Sequence, residues 1–563
     1  MSLDIIELTR ARESRAAIEK LYIEMRHIFN SGSYSPSTIS GRVLLEALHT
    51  LRPEIYGSID DMEKVELNGL VYVMERLPKG IEQCRFLRLI SDEGYSHSGF
   101  EVIIPAKRRR NCYKVDNDLM LVEVTRGRSE IYDILTHLTF MYNEAEKIKS
   151  HAFDKNGNKT KEWEQLEKIV EGNVKLTEHN RDLAFSHLST LLGRTFEQTK
   201  QAFFRFEDTA PQNSGLFRIV YWLGKVAHAA EFENQPIQIT FTPTLRDRIG
   251  HHIHGEQWAT NIKKHLIEHK LLDRPIHIIS ANMHSVMNSL CALSALKEDF
   301  PDHKRAEDLA QELSKPNNQS LNNRVRQYAE QCGMLYLNDN SGTNISVQVF
   351  DTTLLDLSNL PAELKVNKEH IKKEKPVIIV MDYAFGEQAY ETMDELLKPY
   401  KNANLLVKSI SVMGKAGILH GGKGDLMIPS AHVFEGTADN YPLKNEFTKD
   451  DFKGSGLNVY EGAMISVLGT SLQNRDVLAY FRNSSWRAVG LEMEGAHYQK
   501  AIQAGSLIRK NVSSDITLRY AYYASDNPLL TGGTLSSGSL GTVGVKPTYL
   551  ITTKILNKIL NPK

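Results

Sequence analysis

The sequence predicts an α/β protein in two parts: a C-terminal mixed sheet flanked by helices, preceded by a mainly helical α+β domain. Three observations carry this expectation. The chain has 563 residues, more than one ordinary hydrophobic core organises. From about residue 276, short apolar runs alternate with segments of helical periodicity, the texture of strands covered by helices. Before that point helical patterns dominate and strand-like runs are few. The change of texture puts a boundary near residue 265, giving domains 1–265 and 266–563.

Along the first domain, Leu8, Ala16, Ile18, Leu21, Met25 and Ile28 recur at helical spacing, and Ser31-Gly32-Ser33 ends that helix. Gly69-Leu70-Val71-Tyr72-Val73-Met74 and Phe100-Glu101-Val102-Ile103-Ile104 are expected as strands, the second closed by Pro105. Residues 119–124 form another apolar run. Helical patterns cover 128–149 and 160–230, with the polar loop Phe153-Asp154-Lys155-Asn156-Gly157-Asn158-Lys159 between them. A helix over 256–270 leads into Arg274-Pro275. Strands are then expected at 276–280, 334–337, 345–350, 376–381, 405–412, 425–429, 464–468, 486–490 and 517–524. Helices are expected at 283–297, 385–399 and 491–504. No internal repeat is evident.

Composition excludes several functions. Lys and Arg number 68 and Asp and Glu 69, so no bulk charge draws the chain to nucleic acid or a membrane surface. The opening Met-Ser-Leu-Asp-Ile-Ile lacks the continuous apolar core of a signal peptide, and no apolar run is long enough to span a bilayer. Cys84, Cys112, Cys291 and Cys332 are far apart and lack metal-type spacing. The expectation is a reduced, cytoplasmic protein with no cofactor or metal.

Two segments bring carboxylates to strand ends. Ala488-Val489-Gly490-Leu491-Glu492-Met493-Glu494-Gly495-Ala496 is an apolar strand turning into a helix, and a carboxylate is stabilised at a helix start. Tyr520-Ala521-Tyr522-Tyr523-Ala524-Ser525-Asp526-Asn527-Pro528 is an aromatic strand ending in Ser-Asp. Open α/β sheets bind ligands at such C-terminal strand edges. One carboxyl as proton donor to a leaving group and a second against sugar hydroxyls is the equipment of glycosidic cleavage.

These residues resemble the nucleoside phosphorylase/nucleosidase superfamily. Leu491-Glu492-Met493-Glu494-Gly495 followed by Ala524-Ser525-Asp526 is similar to its paired motif. Ser411-Val412-Met413-Gly414-Lys415-Ala416-Gly417-Ile418-Leu419, then Lys423-Gly424-Asp425-Leu426-Met427-Ile428-Pro429, resembles its strand, Gly-rich turn and Gly-Asp strand, in the same order and spacing. Within the superfamily the chain looks most like the AMP nucleosidases. Gly469-Thr470-Ser471, Asn474-Arg475-Asp476 and Arg487-Ala488-Val489 precede the Glu-Met-Glu, and Ser525-Asp526-Asn527-Pro528-Leu529 is similar to their Ser-Asp-Lys-Pro-Leu. The resemblance covers about 270–563.

The resemblance implies a nucleoside phosphorylase-like catalytic domain behind a regulatory or capping domain. It implies hydrolysis of a purine nucleotide or nucleoside, with AMP giving adenine and ribose 5-phosphate, by a homo-oligomer. Asp526 would protonate the purine at N7 with Ser525 orienting it. Glu494 would hold the ribose hydroxyls, Met493 would pack on the sugar, and Glu492 would assist. Gly414, Lys415, Ala416 and Gly417 would line the nucleophile and base site, and Gly469 and Thr470 would frame the purine. Lys415 in the turn, Asn527 after Ser-Asp, and the run Gly532 to Gly544 depart from the AMP-type pattern. Phosphorolysis therefore remains open, as does a nucleotide sensor with a vestigial site; Lys415 and Lys423 are candidates for a 5′-phosphate or an attacking phosphate.

Other features have plainer readings. Gly532 to Gly544 reads as a mobile linker more readily than a phosphate cradle, since it lacks the Gly-Lys-Ser/Thr ending of a P-loop. His251-His252-Ile253-His254 reads as loop histidines without a metal framework. Lys107-Arg108-Arg109-Arg110 reads as a solvated charged turn, with a phosphorylated effector the alternative. His284 reads as a helix-start histidine, and Met493 equally as core packing.

Overall fold

A computed structural model describes residues 5–108, 110–172, 174, 177–401, 403–437, 439–469, 472–531 and 540–562. The chain forms two compact units, one of residues 9–251 with a short return at 472–474, the other of residues 5–8, 252–469 and 475–562. The helix Ile253–Glu268 therefore belongs to the C-terminal unit, ahead of the boundary expected near 265. Its Trp258, Ile262 and Leu266 complete an apolar cluster with Ile276, Val377 and Leu396, which explains the difference. Among the described residues no helix is long and apolar enough to cross a membrane.

The N-terminal unit combines helices with a six-stranded sheet. Its strands are β1 (Ser33–Tyr34), β2 (Phe86–Ile90), β3 (Val102–Ile103), β4 (Cys112–Lys114), β5 (Leu119–Glu123) and β6 (Gln238–Phe241), in the order β1-β6-β2-β5-β4-β3. The helices Arg128–Ala152, Lys161–Val170, Glu178–Leu192, Phe196–Asp208 and Leu216–Phe232 fill the region of helical periodicity. Two expectations fail here. Residues 69–74 lie in the helix Leu67–Met74, not a strand; all but Asn68 of its residues are buried, so its apolar run has no polar face to reveal its period. The expected solvated turn is not solvated throughout, because Arg110 is buried and Arg108 is ion-paired to Asp133.

The C-terminal unit is a mixed α/β structure. Its strands are β7 (Ile276–Ser280), β8 (Met334–Leu337), β9 (Val347–Asp351), β10 (Val377–Met381), β11 (Val407–Ile418), β12 (Leu426–Phe434), β13 (Asn440–Pro442), β14 (Val459–Ser466), β15 (Gly490–Glu492) and β16 (Thr517–Asp526). Strands β7, β10, β11 and β16 run parallel where they pair, so their C-terminal ends share one edge. The strands β12, β14, β15, β11 and β16 pair in succession, and β16 pairs back to β12. This closes a five-stranded ring, with β7, β10, β9 and β8 continuing as an open sheet. Alternation along β16 sets its two faces: Tyr520, Tyr522 and Ala524 join one apolar cluster, Ala521 and Tyr523 the other.

Ring closure explains where strand ends differ from expectation. Both β11 and β12 run past 412 and 429, and Gly414 to Gly417 are not a turn but strand residues paired to β16. The expected strand at 486–490 is replaced by β15 at 490–492; Arg487, at a φ of 46°, interrupts extended backbone before it. His252 is a turn residue at the N-cap position of the helix Ile253–Glu268, whereas His254 is not a loop residue but lies buried within that helix, its Nδ1 2.6 Å from the Ser341 carbonyl. The run from Gly532 lies outside the described residues up to 539; Gly541–Gly544 is a short 3-10 turn opening the unforeseen helix Val545–Leu560.

Candidate active site

The site is organised around Gly417. On one side of β11 it sits opposite Leu491 of β15, and on the other opposite Asp526 of β16. The Glu-Met-Glu and Ser-Asp segments, far apart in sequence, thus flank a single residue of the third segment.

The Asp526 side is shaped by a bulge. Ala416 pairs with Ala524 but Gly417 pairs with Asp526, so Ser525 is an extra residue in β16. In a regular strand neighbouring side chains point to opposite faces. The bulge lets both turn the same way, and the Ser525 hydroxyl lies 2.5 Å from Asp526 Oδ1 and 3.0 Å from the Ala416 carbonyl. Asp526 Oδ2 is buried without a hydrogen-bond partner among the described residues. Burial pushes the Asp526 carboxyl above its usual range; Ser525 and the charges of Lys415 and Lys423 oppose this. Lys415 and Lys423 are exposed. Asn527 ties the strand end down, its Nδ2 donating to the Gly421 carbonyl (3.2 Å) and its Oδ1 accepting from Leu529 N–H (3.0 Å). Asp425 of the Gly-Asp pair is an anchor: Oδ2 accepts from Gly422 N–H (3.0 Å) and Oδ1 from Asn458 Nδ2 (3.2 Å).

The Glu-Met-Glu side turns from β15 into the helix Gly495–Gln503, with Glu494 at its N-cap position. Glu492 is saturated by its own chain. One oxygen accepts from the Ser466 hydroxyl, the other from the N–H groups of Glu494 (2.6 Å) and Gly495. These are the N–H groups a helix start leaves unpaired. Ser466 in turn accepts from Ala496 N–H (2.9 Å). Glu494 Oε1 accepts from Gly386 N–H (3.0 Å) and Oε2 from Met493 N–H (3.3 Å). Gly386, at a φ of 55°, follows β10, and a side chain there would strain the backbone. Burial and then the neighbouring Glu492 charge raise the Glu494 carboxyl to about 8, and burial raises Glu492 to about 7. Met493 is buried.

Beneath Glu494 lies a packed polar layer. His432 Nε2 is 3.1 Å from the Tyr522 hydroxyl, and burial depresses its pKa to about 3, so it is neutral. A Cβ on Gly495 would fall 2.4 Å from His432 Cδ2 and 2.7 Å from that hydroxyl, so only glycine fits. The structure thus gathers Glu492, Met493, Glu494, Ser525, Asp526 and Ala416-Gly417 along neighbouring strands, with Gly414 and Lys415 farther down β11. Gly469 lies just past β14, whose last residue Ser466 holds Glu492; Thr470 lies outside the described residues. His284 is the second residue of the helix Met283–Ala295, its N–H accepted by Asn282 Oδ1 (3.0 Å). Sequence reasoning missed Gly386, Ser466 and His432. The one signal was a glycine after a parallel strand, at the ligand-binding edge.

Solved structures similar to this chain include the 5′-methylthioadenosine/S-adenosyl homocysteine nucleosidase of Campylobacter jejuni, at 11% identity over 51% of this chain and 98% of that one, TM-score 0.29. The futalosine hydrolase of Helicobacter pylori matches at 12% identity over 50% and 97%, TM-score 0.28. The AMP nucleosidase of Bacteroides thetaiotaomicron matches at 12% identity over 55% and 99%, TM-score 0.28. No curated protein matches. A family model covers residues 42–319 and 310–561, nearly the whole chain, and on that ground the chain belongs to a family of unknown function, DUF6909.

Proposed function

We propose that the C-terminal unit cleaves the N-glycosidic bond of a purine nucleotide or nucleoside by hydrolysis, with AMP as the first substrate. The observation that carries this reading is the position of Gly417, opposite Leu491 and Asp526 at once. It brings two different carboxyl environments to one strand edge.

The roles follow from those environments. Asp526 is raised by burial and braced by Ser525, which suits a carboxyl that keeps a proton to give. It delivers that proton to purine N7 as the C1′–N9 bond breaks. The base leaves neutral, and the ribose carries the developing positive charge. Glu494 accepts from backbone N–H groups and turns to the ribose 2′- and 3′-hydroxyls when substrate is bound. Glu492 is a positioning residue, since its oxygens hold the helix start that carries Glu494. Water adds to C1′, and the proton it releases restores Asp526 through solvent. The net reaction consumes one water and yields free base and the ribose product. Lys415 and Lys423 bring positive charge to the Asp526 end, which suits a substrate carrying a 5′-phosphate.

The test is to incubate the protein with AMP and follow adenine by chromatography, with adenosine, inosine and inosine monophosphate in parallel, each with and without phosphate. Adenine and ribose 5-phosphate from AMP without phosphate is the expected result. Failure to release base from any of these overturns the reading, and release only with phosphate replaces hydrolysis by phosphorolysis.

A further inference from the structure

The N-terminal unit holds a second concentration of ionisable groups, of opposite character. Arg108 donates Nε and Nη2 to the two oxygens of Asp133 (2.8 and 2.7 Å), and Arg110 Nη2 donates to the same carboxylate (2.8 Å). Arg76 lies over the Tyr72 ring, its guanidinium carbon 3.5 Å from the ring centre, with Nη1 donating to the Tyr72 carbonyl (2.7 Å). His137, one helical turn beyond Asp133, meets Tyr72 edge-on with centroids 5.9 Å apart. Tyr56, in the short helix Pro53–Tyr56, is within electrostatic reach of Tyr72, Arg76 and Asp133. Tyr56, Tyr72, Arg76, Arg110, Asp133 and His137 are each more than nine-tenths buried.

Donors and acceptors do not balance here. Among the described residues, Arg76 Nε, Arg110 Nε and Nη1, the hydroxyls of Tyr56 and Tyr72, and both ring nitrogens of His137 have no hydrogen-bond partner. Arg110 Nε lies 3.3 Å from Glu130 Oε1 without bonding geometry. Most acceptors are committed: Asp133 takes three arginine N–H groups and Glu130 Oε2 takes the N–H groups of Thr125 and Arg126, each at 3.1 Å, which leaves Glu130 Oε1 as the ion-pair partner of Arg110. Native interiors leave few polar groups unmet, and a cluster of them in one place calls for a cause. Three of these atoms, on Arg76 and Arg110, can only donate, and the two hydroxyls and one nitrogen of the neutral His137 can donate as well, so an acceptor-rich anion is the group that meets them together.

We propose that this centre binds a phosphoryl anion, either inorganic phosphate or the phosphate group of a small metabolite. The unmet donors come from the short helix with Tyr56, the Tyr72–Arg76 segment, the lead into β4 with Arg110, and the helix with His137. Donors drawn from several elements suit a tetrahedral acceptor better than a planar carboxylate, and guanidinium groups match phosphate oxygens in pairs. Arg108, with the exposed Lys107 beside it, is the solvent-facing member and marks the side of entry.

The experiment is calorimetric titration of the full chain with inorganic phosphate, ribose 5-phosphate and sodium chloride at matched ionic strength, with hydrogen exchange to locate the response. Phosphate-dependent heat is expected, with protection confined to 52–78 and 106–140. Tighter binding of ribose 5-phosphate assigns the ligand as a phosphate ester; equal binding assigns it as inorganic phosphate. Arg110→Met is expected to weaken binding at least tenfold and Tyr72→Phe severalfold. If Arg110→Met does not fold, Tyr72→Phe, which keeps the ring and removes only the hydroxyl, decides. Absence of heat, protection at 383–386 or 491–527 instead, or wild-type affinity in both variants overturns the proposal.

Discussion

The two polar centres of this chain handle buried charge in opposite ways. Around Gly417 the groups are carboxyls, and most of their oxygens are met by nearby donors: Glu492 by a helix start and a serine, Glu494 by Gly386. Around Asp133 the groups are arginines, a histidine and tyrosines, and donors exceed the acceptors available. In the first centre burial raises the carboxyls so that they hold protons. In the second Asp133 is held well below the usual carboxylate range: burial alone would raise it, but Arg108, His137 and Arg110 outweigh that effect. The contrast separates two meanings of a buried ionisable cluster. A locally satisfied one adjusts protonation; an unsatisfied one waits for a counter-ion.

Breaking each centre at its key residue sharpens this contrast. Asp526→Asn is expected to lower kcat for base release by about 10²–10⁴-fold while leaving the fold intact, because it removes the proton donor; steady-state release from AMP measures it, and unaltered turnover would remove Asp526 from the mechanism. Asp133→Asn withdraws the charge that three arginine donors share, and is expected to cost about 3–5 kcal/mol in denaturant unfolding. Glu494→Gln replaces the carboxyl that meets the sugar hydroxyls by an amide, for which about 1.5–3 kcal/mol, or roughly 10- to 150-fold in kcat/KM, is expected.

Gly495→Ala tests the packing beneath the carboxyls and is expected to destabilise by about 1–3 kcal/mol, since His432 and Tyr522 must shift. A last prediction concerns pH dependence. Glu494 is raised from an ordinary 4.5 to about 8, so the folded chain keeps a proton that the unfolded chain has lost. That contribution to stability is complete below about 4.5 and lost as pH rises through about 8. Thermal unfolding from pH 5 to 9 should fall with pH in the wild type and flatten in Glu494→Gln; parallel curves would contradict the raised carboxyl.

Much of the C-terminal unit was legible because its strands are short apolar runs between turns. Strands β7, β8 and β10 match their expected ranges within a residue. What was not legible depends on closure of the ring. Nothing local in Gly414-Lys415-Ala416-Gly417 distinguishes a strand from a turn; pairing with β16 decides it. The three segments could be lined up by resemblance, but the bulge at Ser525 is a property of two strands together. Gly386 and Ser466 act through backbone and hydroxyl contacts that carry no periodicity. In the N-terminal unit, Leu67–Met74 misled because burial on nearly all sides erases amphipathic spacing. Helix Val545–Leu560, for which no expectation was drawn, carries Pro547 in its first turn, where proline is tolerated.

The ring of strands also orders events in time. Its last stave, β16, is made about a hundred residues after β11, and it alone joins β11 to β12 across the gap. A nascent chain emerging from the ribosome can assemble β7, β10 and β11 early, but Asp526 has no neighbour at Gly417 until β16 docks. Pairings of such sequence separation are slow to form. The hydrolytic chemistry proposed for this edge therefore arrives late in folding, after the rest of the unit has taken shape.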